Sequence, residues 1–260
     1  MDEKGLYDRH VQPAGHWLVV GPHKLSVDGS AGYLCTRVSP PGSVTLMAPH
    51  HPDAFLYANE RSNHDSEALR SELHSFLKEN GISNEQFDKT MRTNHGTGNI
   101  WQYRELLRGI QNEEPACLNV LPQLRPESIV NTRMPAGSVH GILDRGAAYW
   151  IRRGWKERPG GIWTPTTDAE GRRRAATIAR QYHRLLKPGG QVIMLFDNAG
   201  AEEISEFKGH FRSRNMKTRV VRITPTAAFR IGRKTFGTQY YYGHALIAEK
   251  PIPVKKAEKK

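Results

Sequence analysis

The sequence predicts an α/β protein built on a mostly parallel sheet, and three observations support that prediction. First, residues 167–185 place apolar side chains at helical spacing behind a Thr-x-x-Glu capping pattern, which is typical of an amphipathic helix. Second, the turn Pro188-Gly189-Gly190 leads into Q-V-I-M-L-F, a continuous apolar run that indicates a strand buried on both faces. Third, the same alternation of strand and helix occurs upstream, in H-W-L-V-V-G, a short apolar helical segment and S-V-T-L-M. Strands and helices in alternation build a parallel sheet covered by helices on both sides.

The remaining elements follow along the chain. G-S-V-H-G-I-L-D-R-G predicts a further strand, and a helix with Ile204, Phe207 and Phe211 on one face follows L-F-D-N-A-G. T-R-V-V-R-I and Y-Y-Y-G-H-A-L-I-A-E predict two closing strands, which we expect to pair antiparallel. The chain after the second strand is far longer than one crossover needs, which predicts a helical insertion at about 53–114. We therefore expect one domain over 1–250 and a basic, solvated tail over 251–260.

The composition is that of a globular protein. Of the 260 residues, 37% are hydrophobic and 25% are charged. The first ten residues lack the apolar region of a signal peptide, and no apolar window reaches the length of a membrane-spanning helix. The two cysteines and twelve histidines show none of the spacings typical of metal or redox sites. We therefore expect a soluble, cytoplasmic protein with no metal and no structural disulfide.

The net charge of +12 is concentrated in the second half of the chain. Residues 145–234 hold 20 Lys and Arg against 7 Asp and Glu, whereas residues 1–144 hold 13 against 17. This asymmetry fits a surface that binds a polyanion such as RNA, and it fits equally a solvated surface that only keeps the protein soluble. Composition leaves both interpretations open.

Two motifs, in this order, resemble those of class I S-adenosylmethionine-dependent methyltransferases. M-P-A-G-S-V-H-G-I-L-D-R-G-A-A-Y-W, at 134–150, is similar to the stretch that leads into the family's fourth strand. R-L-L-K-P-G-G-Q-V-I-M, at 184–194, is similar to its helix, L-K-P-G-G turn and fifth strand. The closing Y-Y-Y-G-H-A-L-I-A-E-K fits the last antiparallel strand. The resemblance implies a Rossmann-like sheet with an insertion after the second strand, and S-adenosylmethionine as the cofactor.

The glycine-rich first loop of that family is altered in this chain. Against the family pattern hhD-x-G-x-G-x-G, Val19 takes the place of the acid and Gly21 keeps the first glycine, whereas His23 and Leu25 replace the second and third. Those glycines let the backbone approach the cofactor, and a side chain there fills the same space. The resemblance still implies that Gly21, Pro22 and His23 border the cofactor.

Residues just after this loop offer a substitute for the missing glycines. The next helix starts near Asp28, Gly29 and Gly32, and a turn there would present the first backbone N–H groups of that helix to the cofactor. The alternative is that the glycines serve only a surface turn. Ala48 stands where the family has an acid at the end of the second strand. His140 stands where the fourth strand has an aspartate.

Four further residues are candidates for the site. The resemblance implies that Asn131 presents its amide to the adenine edge of the cofactor. Asp144 ends the fourth strand, where open α/β sheets bind ligands, so it either orients the cofactor or substrate or caps the turn that follows. Asp144 is the one candidate for a catalytic residue, and Arg145 and Trp150 are candidates for substrate binding beneath the insertion.

Two functions are consistent with these features. The first is a methyltransferase acting on RNA or a small molecule, in which the protein mainly aligns the acceptor with the methyl carbon. The second is a catalytically inactive methyltransferase-like subunit that binds RNA or a protein partner through basic residues interleaved with tryptophans: Arg152, Arg153, Lys156, Arg158, Arg172, Arg173, Arg174, Trp150, Trp155 and Trp163. The arginines at 172–174 also fit the solvated face of a helix. The chain contains neither a Tyr-x-x-x-Lys pair nor a P-loop, which disfavours a short-chain dehydrogenase and a P-loop kinase.

Overall fold

The computed structural model describes residues 1–20, 29–47, 119–120, 122–125, 127–153, 167–197, 201–224, 228–231, 234–237 and 242–253. The predicted helical insertion at 53–114 lies outside these residues, and so does most of the predicted tail.

Helices and strands alternate along the described residues. The strands are β1 (His16–Val20), β2 (Ser43–Met47), β3 (Gln123–Arg125), β4 (Val139–Asp144), β5 (Leu186–Asp197), β6 (Lys217–Arg222), β7 (Ala228–Ile231), β8 (Lys234–Gly237) and β9 (Tyr242–Glu249). The helices are α1 (Glu3–His10), α2 (Gly29–Arg37), α3 (Ala147–Arg153), α4 (Asp168–Leu185) and α5 (Ala201–Arg212). None of these helices is long and apolar enough to cross a membrane.

Seven strands form one sheet in the order β3-β2-β1-β4-β5-β9-β6. From β3 to β5 every neighbouring pair runs parallel, whereas β9 runs antiparallel to β5 and to β6. The prediction of a mostly parallel sheet closed by an antiparallel strand is therefore confirmed, as is the pairing of the two closing strands.

Alternate residues of β1 supply two separate cores. Trp17 and Val19 face the core that α1 and α2 cover, whereas Leu18 and Val20 face the core beneath α3, α4 and α5. Both faces of the strand are buried, which explains why its sequence is a continuous apolar run. Trp17 packs against Gly141 of β4 so closely that a Cβ at Gly141 would lie 2.4 Å from the indole ring.

Helix α4 begins as its sequence predicts. Thr167 is the N-cap, and its hydroxyl accepts a hydrogen bond from the Glu170 backbone N–H at 3.3 Å. The Glu170 carboxylate forms an ion pair with Arg174 at 2.5 Å, one turn further along the helix. The helix ends at Leu185, and its last turn is stabilised by Lys250, whose ammonium group donates to the His183 carbonyl at 2.9 Å. A lysine at this end also opposes the negative end of the helix dipole.

Several parts of the fold were not predicted. Helix α1 is short and its core contribution comes mainly from Leu6 and Tyr7, which is too little for a periodic pattern. Strand β3 has three residues, and β7 and β8 form a separate two-stranded antiparallel sheet inside the long connection between the two closing strands. Strand β5 also begins earlier than expected, at Leu186, so the Lys-Pro-Gly-Gly turn belongs to the strand.

Candidate functional site

The carboxyl ends of β1 and β4 lie side by side at one edge of the sheet, which we call the carboxyl edge. Val20 and Asp144 are partners in the register of these two strands, and both end them. Beyond the strand, the Arg145 backbone N–H donates to the Val20 carbonyl at 3.2 Å. Helix α2, which follows β1 in the chain, begins at Gly29. Open α/β sheets bind their ligands at such an edge, so the candidate site is built here.

The Asp144 side chain is fully buried and bonded within the protein. One of its carboxylate oxygens accepts from the Tyr182 hydroxyl at 2.7 Å and from the Ala148 backbone N–H at 3.2 Å. Backbone N–H groups at Gly146 and Ala147 also bond to it. These contacts cap the start of α3. Of the two roles considered for Asp144, ligand binding and capping of the turn after β4, the contacts agree with capping. They leave no exposed face of the carboxylate for a substrate in this conformation.

Burial changes the acidity of Asp144. Removal from water raises its pKa from 3.8 to about 6, although the hydrogen bonds from Tyr182 and the three backbone N–H groups favour the ionised form. The same burial, with the neighbouring carboxylate, raises the pKa of Tyr182 well above its ordinary value, so this hydroxyl remains a donor. Asp144 is therefore an internal carboxyl group with fixed partners rather than a solvent-facing base.

A second buried charged cluster lies on the other face of the sheet and involves a residue that sequence reasoning missed. Glu3, in the first turn of α1, accepts hydrogen bonds from the Ser30 hydroxyl at 2.9 Å and from the Tyr7 hydroxyl. Its carboxylate lies 3.4 Å from the guanidinium of Arg145, and the two side chains are only 4% and 6% exposed. This Glu3 cluster (Glu3, Tyr7, Ser30 and Arg145) thus ties α1 and the start of α2 to the end of β4.

Outer contacts hold α1 in this position. Asp2 caps the helix by accepting from the Gly5 N–H at 2.9 Å, and Asp8 pairs with Arg37 of α2 at 2.5 Å. The Asp8–Arg37 pair is partly exposed, in contrast to Glu3 and Arg145. The only sequence signals for α1 are its capping aspartate, the acid in its first turn and the basic residues in its last turn.

The segment between β3 and β4 is held rigidly and leaves Asn131 exposed. Glu127 accepts from the Thr132 hydroxyl at 2.7 Å and from the Arg133 backbone N–H at 3.0 Å. From α4, the Arg184 guanidinium donates to the carbonyl of Thr132 at 3.1 Å and to a second carbonyl two residues further on. Asn131 is therefore exposed on a segment whose neighbouring residues are held by hydrogen bonds.

The arginines of α3 are bound to glutamates of α5. Arg152 pairs with Glu206 at 2.9 Å, and Arg153 pairs with Glu203 at 3.2 Å. Arg174 of α4 is likewise paired within its own helix. The first two ion pairs join α3 to α5, and all three neutralise part of the basic charge that is a candidate for RNA binding. Exposed guanidinium groups of α4 remain, at Arg172, Arg173 and Arg180.

The other candidate residues divide between described and undescribed parts of the chain. Gly29 and Gly32 lie in the first turn of α2, at the carboxyl edge. Trp150 lies in α3, although its side chain is outside what the structure describes. Further candidates lie outside the described residues: Gly21, Pro22, His23, Asp28, Ala48, Trp155, Lys156, Arg158 and Trp163. Within the described ranges, no group of three His, Cys, Asp or Glu side chains is placed to hold a metal ion.

The strand order decides the kind of fold. The parallel strands run β3-β2-β1-β4-β5, and an antiparallel β9 is inserted between β5 and β6. The chain has the class I methyltransferase fold. Within that methyltransferase-like fold, α2 is the helix after the first strand, and Asp144 ends the fourth strand, as the sequence motifs implied.

Comparison with known proteins gives no closer relationship than the fold. No protein-family model and no curated protein sequence matches the chain. A SAM-dependent methyltransferase structure from Methanosarcina mazei is 11% identical, with 97% of this chain and 100% of that chain covered and a TM-score of 0.45. One from Aquifex aeolicus is 12% identical, with 95% and 88% covered and a TM-score of 0.43. A methyltransferase structure from Pyrococcus furiosus is 12% identical, with 95% and 80% covered and a TM-score of 0.42. With similarities this low, the fold assignment rests on the strand order.

Proposed function

We propose that this protein is an S-adenosylmethionine-dependent methyltransferase whose cofactor binds at the carboxyl edge, over the start of α2. The observation that supports this is the position of α2, which begins at Gly29 beside the ends of β1 and β4. The first N–H groups of a helix have no partner within the helix and favour an anionic or polar ligand group. Gly29 and Gly32 have no side chains that would keep a ligand away from these groups.

The described residues fit such a ligand. Asn131 is exposed on a fixed loop after β3, and an amide can both donate to and accept from an adenine edge. We assign the remaining cofactor contacts, by the family resemblance, to Gly21, Pro22, His23, Asp28 and Ala48. The cofactor supplies an electrophilic methyl group when bound, and the role of this chain is to orient the acceptor, which we take to be RNA or a small molecule.

We propose positioning roles for the two buried clusters. Asp144 fixes the start of α3, the helix that carries the proposed substrate residue Trp150. Arg145, through Glu3, ties the end of β4 to the start of α2, so both elements that border the ligand edge are held at a fixed separation. In this proposal Arg145 acts on the substrate region through Glu3 and not by reaching into solvent.

Calorimetry with S-adenosylmethionine tests the proposal directly. We expect saturable binding by the intact chain, about tenfold weaker binding in Asn131→Ala, as for a lost hydrogen bond in a ligand site, and weaker binding in Glu3→Gln. Gln123→Ala, an exposed change in β3, and Asp8→Asn, a partly exposed change in α1, are the matched controls and should bind as the unchanged protein does. Absence of binding at millimolar cofactor by a folded protein would overturn the proposal.

A second proposal, a catalytically inactive subunit that binds RNA or a protein partner, draws support from the exposed Arg172, Arg173 and Arg180 of α4. Arginines on one helix can neutralise successive phosphates, and such binding weakens steeply as salt is added. RNA binding that falls with salt and is lost in a triple glutamine variant, in a chain that does not bind S-adenosylmethionine, would favour this function over methyl transfer. RNA binding that is insensitive to salt would count against it.

A further inference from the structure

A cluster of basic side chains lies at the edge of the sheet opposite the proposed cofactor site. His16 opens β1, His140 is the second residue of β4, and Lys187 is the second residue of β5. Because these strands run parallel, all three lie at the amino ends of the strands, which we call the amino edge. The side chains of His16, His140 and Lys187 are partly exposed.

The hydrogen bond to His140 fixes where its ring carries a proton. The backbone N–H of His16 donates to His140 Nδ1 at 2.9 Å. A backbone amide can only donate, so Nδ1 accepts, and the neutral ring must carry its proton on Nε2. Burial, followed by the charges of Lys187 and His16, lowers the pKa of His140 and keeps the ring neutral at pH 7. His140 Nε2–H is therefore a donor of fixed direction.

That donor faces another donor. Lys187 Nζ lies 3.3 Å from His140 Nε2, and an ammonium group has three N–H donors and no acceptor. Neither group can satisfy the other, and within the described part of the chain no carboxylate forms an ion pair with Lys187. Two convergent donors in a positive field favour an anionic acceptor, and an oxyanion can offer a separate oxygen to each donor.

Close packing of the backbone brings Lys187 and His140 together. Gly190 closes the turn after Lys187, and a Cβ at this position would lie 2.8 Å from the His140 carbonyl oxygen and 2.9 Å from that of Lys187. Contacts that short require glycine, so the turn is packed directly against β4. The Gly189 N–H donates to the Lys250 carbonyl at 2.9 Å and holds the other side of the turn.

We propose that Lys187 Nζ and His140 Nε2–H bind a phosphate-type oxyanion at the amino edge, separate from the cofactor site. One oxygen accepts from the ammonium group and a second accepts from the imidazole N–H, which removes the conflict between the two donors. The same chemistry is presented by free inorganic phosphate and by the phosphodiester of a nucleic acid backbone, so the ligand is defined by its oxyanion.

Histidine side-chain NMR of the full chain at pH 7 tests the site. The ring nitrogens of His140, assigned by their loss in His140→Gln, should show the proton on Nε2; a proton on Nδ1 would overturn the proposal before any ligand is added. Inorganic phosphate is then titrated at constant ionic strength, with chloride as the balancing salt. We expect a saturating shift of the His140 ring signals, weakened at least about tenfold in Lys187→Gln, in line with one lost charge-assisted hydrogen bond.

Lys217→Gln is the matched control, because Lys217 is an exposed lysine of β6 that forms no part of the cluster. It should bind phosphate as the unchanged protein does. A shift that does not saturate, or that is the same in Lys187→Gln and Lys217→Gln, would overturn the proposal. A uridine hexanucleotide titrated in parallel identifies the source: tighter binding than phosphate assigns a nucleic acid backbone, and weaker binding assigns free phosphate.

Discussion

The two edges of the parallel sheet present charged residues in opposite ways. At the carboxyl edge, Asp144 and Glu3 are buried and each accepts several hydrogen bonds from the protein. At the amino edge, His140 and Lys187 are partly exposed and bring two donors together. Both edges consist of strand ends, so the difference comes from the side chains and from the helices that cover them.

The difference indicates what each edge does. Buried ionised groups are costly unless their partners are fixed, so the carboxyl edge is a rigid assembly in which each change affects folding. Partly exposed donors cost little in the folded protein and remain available to a ligand. Substitutions of Glu3 and Asp144 at the carboxyl edge should therefore alter the free energy of unfolding, and substitution of Lys187 at the amino edge should alter binding with little effect on stability.

The largest effect is expected at Glu3. Glu3→Gln keeps the shape of the side chain and acceptors for Ser30 and Tyr7, but it removes the negative charge beside the buried Arg145. Loss of one partner from a buried ion pair costs about 3 to 5 kcal/mol. Urea denaturation followed by circular dichroism measures the change.

The control is Asp8→Asn in the same helix. The Asp8–Arg37 pair has side chains that are 32% and 44% exposed, so water screens it and we expect a loss of about 0.5 kcal/mol. Equal losses in Glu3→Gln and Asp8→Asn would show that the Glu3 cluster is not the buried anchor of α1.

The second effect is a pH dependence at Asp144. Its pKa is 3.8 in the unfolded chain and about 6 in the folded protein, so the folded state binds the proton more tightly. The Asp144 contribution to the free energy of unfolding is therefore present below pH 3.8 and is lost as pH rises through about 6, by about 3 kcal/mol. Asp144→Asn, which cannot ionise, should remove this fall. Denaturation at a series of pH values measures it.

Asp168→Asn is the control for the loss of one carboxylate at an exposed position, because Asp168 is exposed at the start of α4. Asp168→Asn leaves Asp144 in place, so this variant should retain the fall in stability between about pH 4 and 6. If the free energy of unfolding of Asp144→Asn varies with pH as that of the unchanged protein does, the prediction of a raised pKa at Asp144 is wrong.

A smaller effect is expected at Lys250, which follows β9 beside the turn at Gly189 and Gly190. Its ammonium group donates to the carbonyls of His183 at 2.9 Å and Leu186 at 2.7 Å, at the end of α4. Lys250→Met keeps most of the apolar stem and removes these bonds, which we expect to cost about 1 kcal/mol. Thermal unfolding compares it with Lys217→Met, which should be neutral; equal melting temperatures would contradict the capping role.

The sequence was sufficient for the sheet and insufficient for the site, for physical reasons. Long apolar runs such as β1 and the amphipathic α4 depend on local pattern, which a single sequence displays. The Glu3 cluster joins residues 3, 30 and 145, and no local pattern records a contact between such distant positions. Helix α1 was missed because two buried apolar residues give no periodic signal.

The motif positions also left the side-chain roles undecided. Asp144 was placed correctly at the end of β4, but the choice between ligand contact and helix cap depends on Tyr182, whose hydroxyl lies 2.7 Å away and 38 residues later in the chain. His140, at a position where the family has an acid, was noted only as a departure. Its place in a donor cluster depends on the strand register that brings β1, β4 and β5 together.

The smallest expected effect on stability completes the contrast between the edges. Lys187→Gln removes a charge from the amino edge, where it faces another donor, so the folded protein loses no favourable bond and we expect a change within about 0.5 kcal/mol. Removal of the repulsion between the ammonium group and His140 should also raise the pKa of His140 towards its ordinary value, since Lys187 is one of the causes that lower it. Urea denaturation and an NMR titration of His140 measure the two quantities. A loss of stability as large as that of Glu3→Gln would mean that the amino edge is structural, like the carboxyl edge, and that the contrast between them does not hold.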